Sequence, residues 1–295
     1  MIKRGVIALQ HATSRLLLSS SARRRLILAK IHLIGLPTDS HSSFLRGPAQ
    51  APRAIRDALS SDHSNMATEL GSELGLDINL EDLGDLPLDE SPRDFDLIRA
   101  AAAASALGAA TPIFLGGDHM VTYPILAGLA EVHGPINILH FDAHPDLYDN
   151  FGGDPLSHAS PFARIMERGL AKRLVQVGIR TLNTHCREQA ERFGVEMVEM
   201  RGFTSEAVSI PQAPLYVSID MDALDPAFAP GVSHHEPGGL TVREILSVLH
   251  RVEVPIIGAD LVEYNPTRDL NGMTAVVAAK FIKELAGLAT FPAFR

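Results

Sequence analysis

The sequence predicts an α/β fold built on a mainly parallel sheet, and three observations carry that expectation. From Ile31 onward, short apolar runs alternate with longer stretches of helical composition. The apolar runs are rich in Ile, Val and Leu and are bounded by turn residues, as in strands covered on both faces. Strand, helix and strand in succession require crossover connections, which place helices on both sides of a parallel sheet.

In chain order, "IHLIGLP" (31–37) reads as the first strand. "APRAIRDAL" (51–59) reads as a helix that Pro52 can open, because the N–H that proline lacks is not needed in a first turn. "RDFDLIRAAAAASALGAA" (93–110) is alanine-rich and helical, and Thr111-Pro112 punctuates it before the strand "IFLGG" (113–117). Further strands are "INILHF" (136–141), "LVQVGIR" (174–180), "LYVSID" (215–220) and "IIGAD" (256–260). Helices fall on "PFARIMERGL", "CREQAERF", "TVREILSVLH" and "AVVAAKFIKELAG". Thr241 followed by Glu244 has the spacing of a capping box, which places the start of the third of these. The Pro/Gly-rich stretches "NFGGDPLSHAS" and "FAPGVSHHEPGGL" follow strands and read as functional loops, so 31–295 is taken as one domain.

The length of 295 residues is ample for a buried core, and a single cysteine, Cys186, rules out an intrachain disulfide framework and suits a reducing compartment. A net charge of −9 argues against a nucleic-acid partner and is compatible with a cationic substrate. No apolar run reaches the roughly 18–20 residues that a spanning helix needs, so no membrane partner is expected. Residues 1–30 hold seven Lys or Arg and no acidic residue. This basic extension reads as an arm in a cytoplasmic protein or, alternatively, as a mitochondrial transit segment.

Three strand ends carry ligand-type residues. "FLGGDH" brings His119, with two glycines expected to let the backbone turn tightly. "HFDAHPD" brings Asp142, His144 and Asp146, alternating as residues on one face of a strand do. "SIDMD" adds Asp220 and Asp222 with the same spacing. Functional groups gather beyond the carboxyl ends of strands in open parallel sheets. Four ionised aspartates carry about −4, which two divalent cations would cancel, whereas unpaired burial costs several kcal/mol per charge. Imidazole and oxygen donors without a thiolate suit Mn2+ and also admit Co2+, Ni2+, Fe2+ or Zn2+. Structural zinc sites are four-coordinate and Cys-rich, so six such ligands point to a catalytic two-metal cluster. Two metals close together lower the pKa of a shared water to near neutrality. His158, on the following loop, is placed to carry a proton to a leaving amine; the alternative is a loop histidine satisfied by backbone. Glu263, just past "IIGADLV", suits a planar cation through paired hydrogen bonds; the alternative is a solvated carboxylate.

These segments, with "GPAQAPRAIR", "SHASPF", "EPGGLT" and "EYNPTRD" in order, resemble the ureohydrolases, the family of arginases and agmatinases, over about 31–288. "DLYDNFGGDPLSHASPFARIMERG" and "GVSHHEPGGL" are most similar to plant-type arginases. The resemblance implies a three-layer α/β/α domain around an eight-stranded parallel sheet, assembled as a trimer or hexamer. It implies two Mn2+ held by His119, Asp142, His144, Asp146, Asp220 and Asp222. It further implies hydroxide attack on a guanidinium carbon, with Asp146 orienting the nucleophile, Glu263 holding the guanidino group and His158 relaying the proton as urea forms.

The departures bear on the substrate's tail. Tyr148 stands where animal and many bacterial arginases have an Asn that reads the α-carboxylate, and His234 where many relatives have Thr. Asp154 would disfavour a carboxylate nearby, and Asn183 is a candidate tail contact or a plain polar loop residue. L-arginine is the expected substrate, with agmatine or another guanidino compound as the alternative. Deacetylases of the same fold use one zinc, and the complete "DAHPD" and "DMD" segments argue for two metals.

Overall fold

In the computed structural model, which describes residues 29–108 and 110–290, the predicted alternation becomes eight strands and seven α-helices among the described residues. They are β1 (Ala29–Gly35), α1 (Ala51–Leu59), β2 (Ile78–Asp85), α2 (Arg93–Leu107), β3 (Thr111–Leu115), α3 (Thr122–His133), β4 (Ile136–Phe141) and α4 (Pro161–Glu167). There follow β5 (Ala171–Ile179), α5 (Thr184–Phe193), β6 (Glu196–Glu199), β7 (Leu215–Asp220), α6 (Val242–Leu249), β8 (Ile256–Val262) and α7 (Met273–Leu288). The strands form one sheet in the order β2-β1-β3-β8-β7-β4-β5-β6, every pair parallel. The extension drawn as 1–30 ends inside β1, because Ala29 and Lys30 pair with Ile78 and Asn79; the rest of that segment lies outside the described residues.

Side chains alternate across the sheet and separate two apolar layers. Leu139 and Phe141 of β4, with Val175, Val217 and Leu261, pack on α1, α6 and α7. Ile136 and Ile138, with Leu174 and Tyr216, pack on α2, α3 and α4. The result is three layers, α/β/α. Thr241 and Glu244 do form the capping box that starts α6. Sequence periodicity missed β2 and β6, which are polar edge strands. It also missed α3, whose apolar residues run almost all round and leave no helical stripe to detect. Among the described residues no helix is long and apolar enough to cross a membrane.

The glycines after β3 serve close approach rather than a tight turn. A Cβ on Gly117 would lie 1.6 Å from the Thr38 carbonyl oxygen, and one on Gly116 would lie 2.6 Å from Val262 Cγ1. The strand exit threads between the ends of β1 and β8, with Asp118 N–H donating to Thr38 O (3.1 Å) and Glu263 N–H to Gly117 O (2.8 Å). His119 and Glu263 are thereby brought side by side. Gly117→Ala should destabilise the fold by more than about 3 kcal/mol in urea unfolding, because the clash is with backbone. Gly108→Ala, at a negative-φ position with ordinary contacts, should stay within about 1 kcal/mol.

Candidate metal centre

The predicted ligand residues converge at the carboxyl ends of β3, β7 and β4; β3 and β7 flank β8, which is followed directly by Glu263. The expected strand alternation is not how they converge. β4 ends at Phe141 and β7 at Asp220, so His144, Asp146 and Asp222 lie in the loops that follow. Each Asp-x-X pair instead closes a turn through its first side chain. Asp142 Oδ1 accepts from His144 N–H (2.6 Å), and Asp220 Oδ1 from Asp222 N–H (2.8 Å). Asp146 adopts a left-handed backbone (φ 49°), and its carboxylate reaches His119.

His119 Nδ1 faces Asp142 Oδ2 at 3.2 Å, Asp146 Oδ2 at 3.0 Å and Asp220 Oδ2 at 3.2 Å. None of the three lies in line for a hydrogen bond, so this fully buried nitrogen has no partner. An ion about 2.1 Å from its ligands sets neighbouring octahedral donors about 3.0 Å apart, so the spacing fits donors around a cation. A second group forms at His144 Nδ1, 3.2 Å from Asp222 Oδ2 and 3.4 Å from the other oxygen of Asp142. Asp142 therefore belongs to both groups, one oxygen to each. The residues present fit a metal centre.

The electrostatics describe the same negative well. Burial opposes charge on His119, but Asp142, Asp146 and Asp220 hold its pKa well above the ordinary value. His144 is likewise raised against its burial by Asp222 and Asp142. Burial and the neighbouring Asp222 and Asp142 charges push Asp220 well up, and burial with the Asp142 charge lifts Asp146 to about 6. A field that draws protons this strongly draws a cation in their place.

Beside these groups lies a cavity of about 230 Å3 whose lining includes Tyr148, His158, His234, Glu236 and Glu263. Glu263, also left-handed (φ 60°), accepts at Oε1 from His158 Nδ1 (2.7 Å) and from His119 N–H (2.9 Å). Its Oε2 is buried without a partner, so one oxygen is left for a ligand rather than the pair expected from the sequence. His158 Nε2 meets Ser43 Oγ at 2.7 Å. Burial opposes charge on His158, but Glu263 raises its pKa to about 9.

Tyr148 is held at the mouth by stacking on His185 and by a hydrogen bond from Asn183 Nδ2 to its hydroxyl (2.6 Å). Asn183 itself does not line the cavity; it caps α5 through Cys186 N–H (2.9 Å) and acts only through Tyr148. Asp154 does not line it either, because its carboxylate is committed to His41 Nδ1 (2.9 Å). The acid at the mouth is Glu236, whose side chain is 39% exposed and lies 3.9 Å from His144 Nε2. Sequence reading passed over Glu236, although it stands two residues after His234, and over His140, two residues before Asp142. His140 Nε2 lies 2.9 Å from Asp142 Oδ2, and burial pushes its pKa down to about 4.

Comparison with known proteins agrees with this geometry: the family described as "Arginase family" matches residues 29–287. The chain belongs to the arginase family. It is 48% identical over 275 residues to Arginase 1, mitochondrial, of Arabidopsis thaliana, covering 88% of this chain and 80% of that one. It is 47% identical over 271 residues to Arginase 2, chloroplastic/mitochondrial, of the same plant, covering 86% and 79%. Among solved structures, the arginase from Medicago truncatula superposes with a TM-score of 0.82 at 44% identity, covering 89% of this chain and 88% of that one. The eight-stranded parallel sheet is thus the sheet of an arginase-family hydrolase, with the His/Asp cluster at its strand ends.

Removing divalent metal by chelation should lower the melting temperature. An ion that binds only the folded chain, restored at about a hundredfold its dissociation constant, should add about 2.7 kcal/mol, or about 4 °C for a chain of this length. Asp146→Asn should lose at least one of these increments in differential scanning fluorimetry.

Proposed function

We propose that this protein is a two-metal ureohydrolase that converts L-arginine and water to ornithine and urea. The observation that carries the reading is a cavity lined by Glu263, whose Oε2 has no partner, beside two donor groups that share Asp142. A buried acceptor without a donor calls for a ligand that brings one, and a guanidinium brings five N–H groups with a positive charge. The names of the arginase relatives support arginine as its source.

His119, Asp142, Asp146 and Asp220 would hold one ion and His144, Asp142 and Asp222 the other; the donor set favours Mn2+, with Co2+, Ni2+ or Fe2+ as alternatives. Bound there, such ions lower the pKa of water toward neutrality and stabilise negative charge developing on oxygen. Asp146 would orient the attacking water. Glu263 Oε2 accepts from the guanidinium and fixes its plane. Glu263 Oε1 keeps the proton of His158 on Nδ1, which makes Nε2 the nitrogen that serves the reaction. Water adds to the guanidinium carbon, the C–N bond to the substrate chain breaks, and the leaving nitrogen takes a proton from His158 Nε2; of the two protons the water brought, one restores His158 and the other completes the ornithine ammonium, leaving neutral urea.

For the tail, Glu236 is placed to pair with an α-ammonium, and His234, whose buried Nε2 has no partner, to hydrogen-bond an α-carboxylate. Tyr148 forms the wall between them and solvent. Two further readings accompany this one. The names of the mitochondrial relatives and the acid-free composition support import for the segment before β1, rather than a cytoplasmic address. The trimer or hexamer implied by the family resemblance is open to light scattering.

Urea release from L-arginine, agmatine, 4-guanidinobutanoate and guanidine, run side by side with metal content on the same sample, tests the activity. Arginine should have the highest kcat/KM; agmatine preference would overturn the tail assignment, and no urea with two metals bound would overturn the reaction. Glu263→Gln should keep both metals and lose about 10- to 100-fold in kcat/KM, by loss of a charge-assisted bond. Glu236→Gln should raise KM for arginine about tenfold or more and leave 4-guanidinobutanoate, which lacks the α-ammonium, unchanged. An equal effect on both substrates would sink the Glu236 assignment.

A further inference from the structure

Directly beneath the metal centre, four neighbouring strands carry a row of polar residues where the sheet is otherwise apolar. In register, Gln176 of β5 stands beside His140 of β4, His140 beside Ser218 of β7, and Ser218 beside Asp260 of β8. All four are fully buried. Two residues earlier on the same face, Ile138, Leu174 and Tyr216 belong to the apolar layer against α2, α3 and α4. A buried polar group left unsatisfied costs about 1–3 kcal/mol, so an all-apolar row would be the simpler core.

Apart from Gln176 Oε1, which is buried without a partner, the row is nonetheless bonded in one sense. On one side, Gln176 Nε2 donates to Pro145 O (2.7 Å) and faces His140 Nδ1 (3.1 Å). A carbonyl only accepts, so Pro145, which stands between His144 and Asp146, fixes the amide with its nitrogen toward both groups. His140 Nδ1 must then accept, and its proton sits on Nε2, donated to Asp142 Oδ2 at 2.9 Å. On the other side, Asp260 accepts from the hydroxyls of Tyr216 (2.8 Å), Thr122 (2.8 Å) and Ser218 (2.6 Å). With its own proton given to Asp260, Ser218 Oγ offers a lone pair to His119 Nε2 at 3.1 Å. The neutral His119 ring therefore keeps its proton on Nε2, so that a cation replacing the second proton meets Nδ1 as a lone pair facing the three carboxylates. The two chains end on His119 Nδ1 and Asp142 Oδ2, which face each other at 3.2 Å.

We propose that Gln176, His140, Ser218 and Asp260 are the positioning layer of the metal centre, fixing the ring tautomers of His119 and His140 so that a cation meets a deprotonated Nδ1 and an oriented Asp142. The proposal rests on the reading of the site as a two-metal centre. His144 has no comparable support, since its far nitrogen is 3.9 Å from the mouth residue Glu236. The layer therefore acts on the ion at His119 and leaves the ion at His144 little changed.

The test is Mn2+ titration of the metal-free full chain by calorimetry, with bound metal counted by mass spectrometry, on wild type, Ser218→Ala, Ser218→Thr and Gln176→Met. Ser218→Ala and Gln176→Met should each raise the dissociation constant of one ion by about 10- to 100-fold and leave the other within about threefold. Ser218→Thr, which keeps the hydroxyl, should restore the wild-type value. At saturating Mn2+ the substrate KM should stay within about twofold while kcat falls. Wild-type dissociation constants for both ions in both Ser218→Ala and Gln176→Met would overturn the proposal. So would a lowered melting temperature of these metal-free variants with unchanged metal affinity, the mark of a purely structural role. Failure of the underlying two-metal reading would show differently, as fewer than two ions bound by the wild-type chain.

Discussion

Four carboxylates, those of Asp142, Asp146, Asp220 and Asp222, are crowded beyond the ends of two adjacent strands, none of them more than 7% exposed, and their mutual repulsion is the constraint around which the structure is arranged. Like charges about 4 Å apart repel by about 4 kcal/mol each at an effective dielectric near 20. Either protons or cations must compensate. The raised pKa values of Asp146, Asp220, His119 and His144 are the proton answer to this field, and the shared oxygens of Asp142 are the geometry for the cation answer. A hydrolase would benefit from the second, because a cation held by these charges would supply an electrophilic centre.

Holding such a cluster open requires a backbone that cannot relax. The side-chain turns at Asp142 and Asp220 each bind the next ligand's N–H, so one ligand's position sets the other's. Asp146 and Glu263 sit in left-handed conformations that cost about 1–2 kcal/mol apiece, stored where the chain must aim a carboxylate inward. Gly116 and Gly117 let three strand exits pass at backbone contact distance, which is why His119 N–H reaches Glu263 at all. Precision at the site thus comes from the rigid ends of a buried parallel sheet.

The cavity divides its work between its floor and its mouth. The floor is charged and buried, with Glu263 Oε2 and, behind it, His119 Nδ1 left without partners; the mouth is aromatic and half-exposed, with Glu236 as its acid. In the proposed function a planar cation would be drawn to the floor by charge, and its tail would be sorted at the mouth by shape and by single polar contacts. Loop-loop ties such as His41 to Asp154 shape that mouth without entering it.

By itself the sequence determined the layered α/β class, most of the strands, the α6 capping box and the residue types of the centre. Apolar periodicity and the Asp-x-His-x-Asp spacing are local properties, legible without knowing what lies across the sheet. The polar edges β2 and β6 and the all-apolar α3 escaped because each lacks the contrast that periodicity measures. Only the tertiary structure decided that Glu236 rather than Asp154 faces the cavity, since that depends on His41, 113 residues away from Asp154, taking one of the two acids. It alone also set His140, Gln176, Ser218 and Asp260 in one row. Pairing between parallel strands is fixed by how the crossover helices pack, and no stretch of chain carries that register within itself.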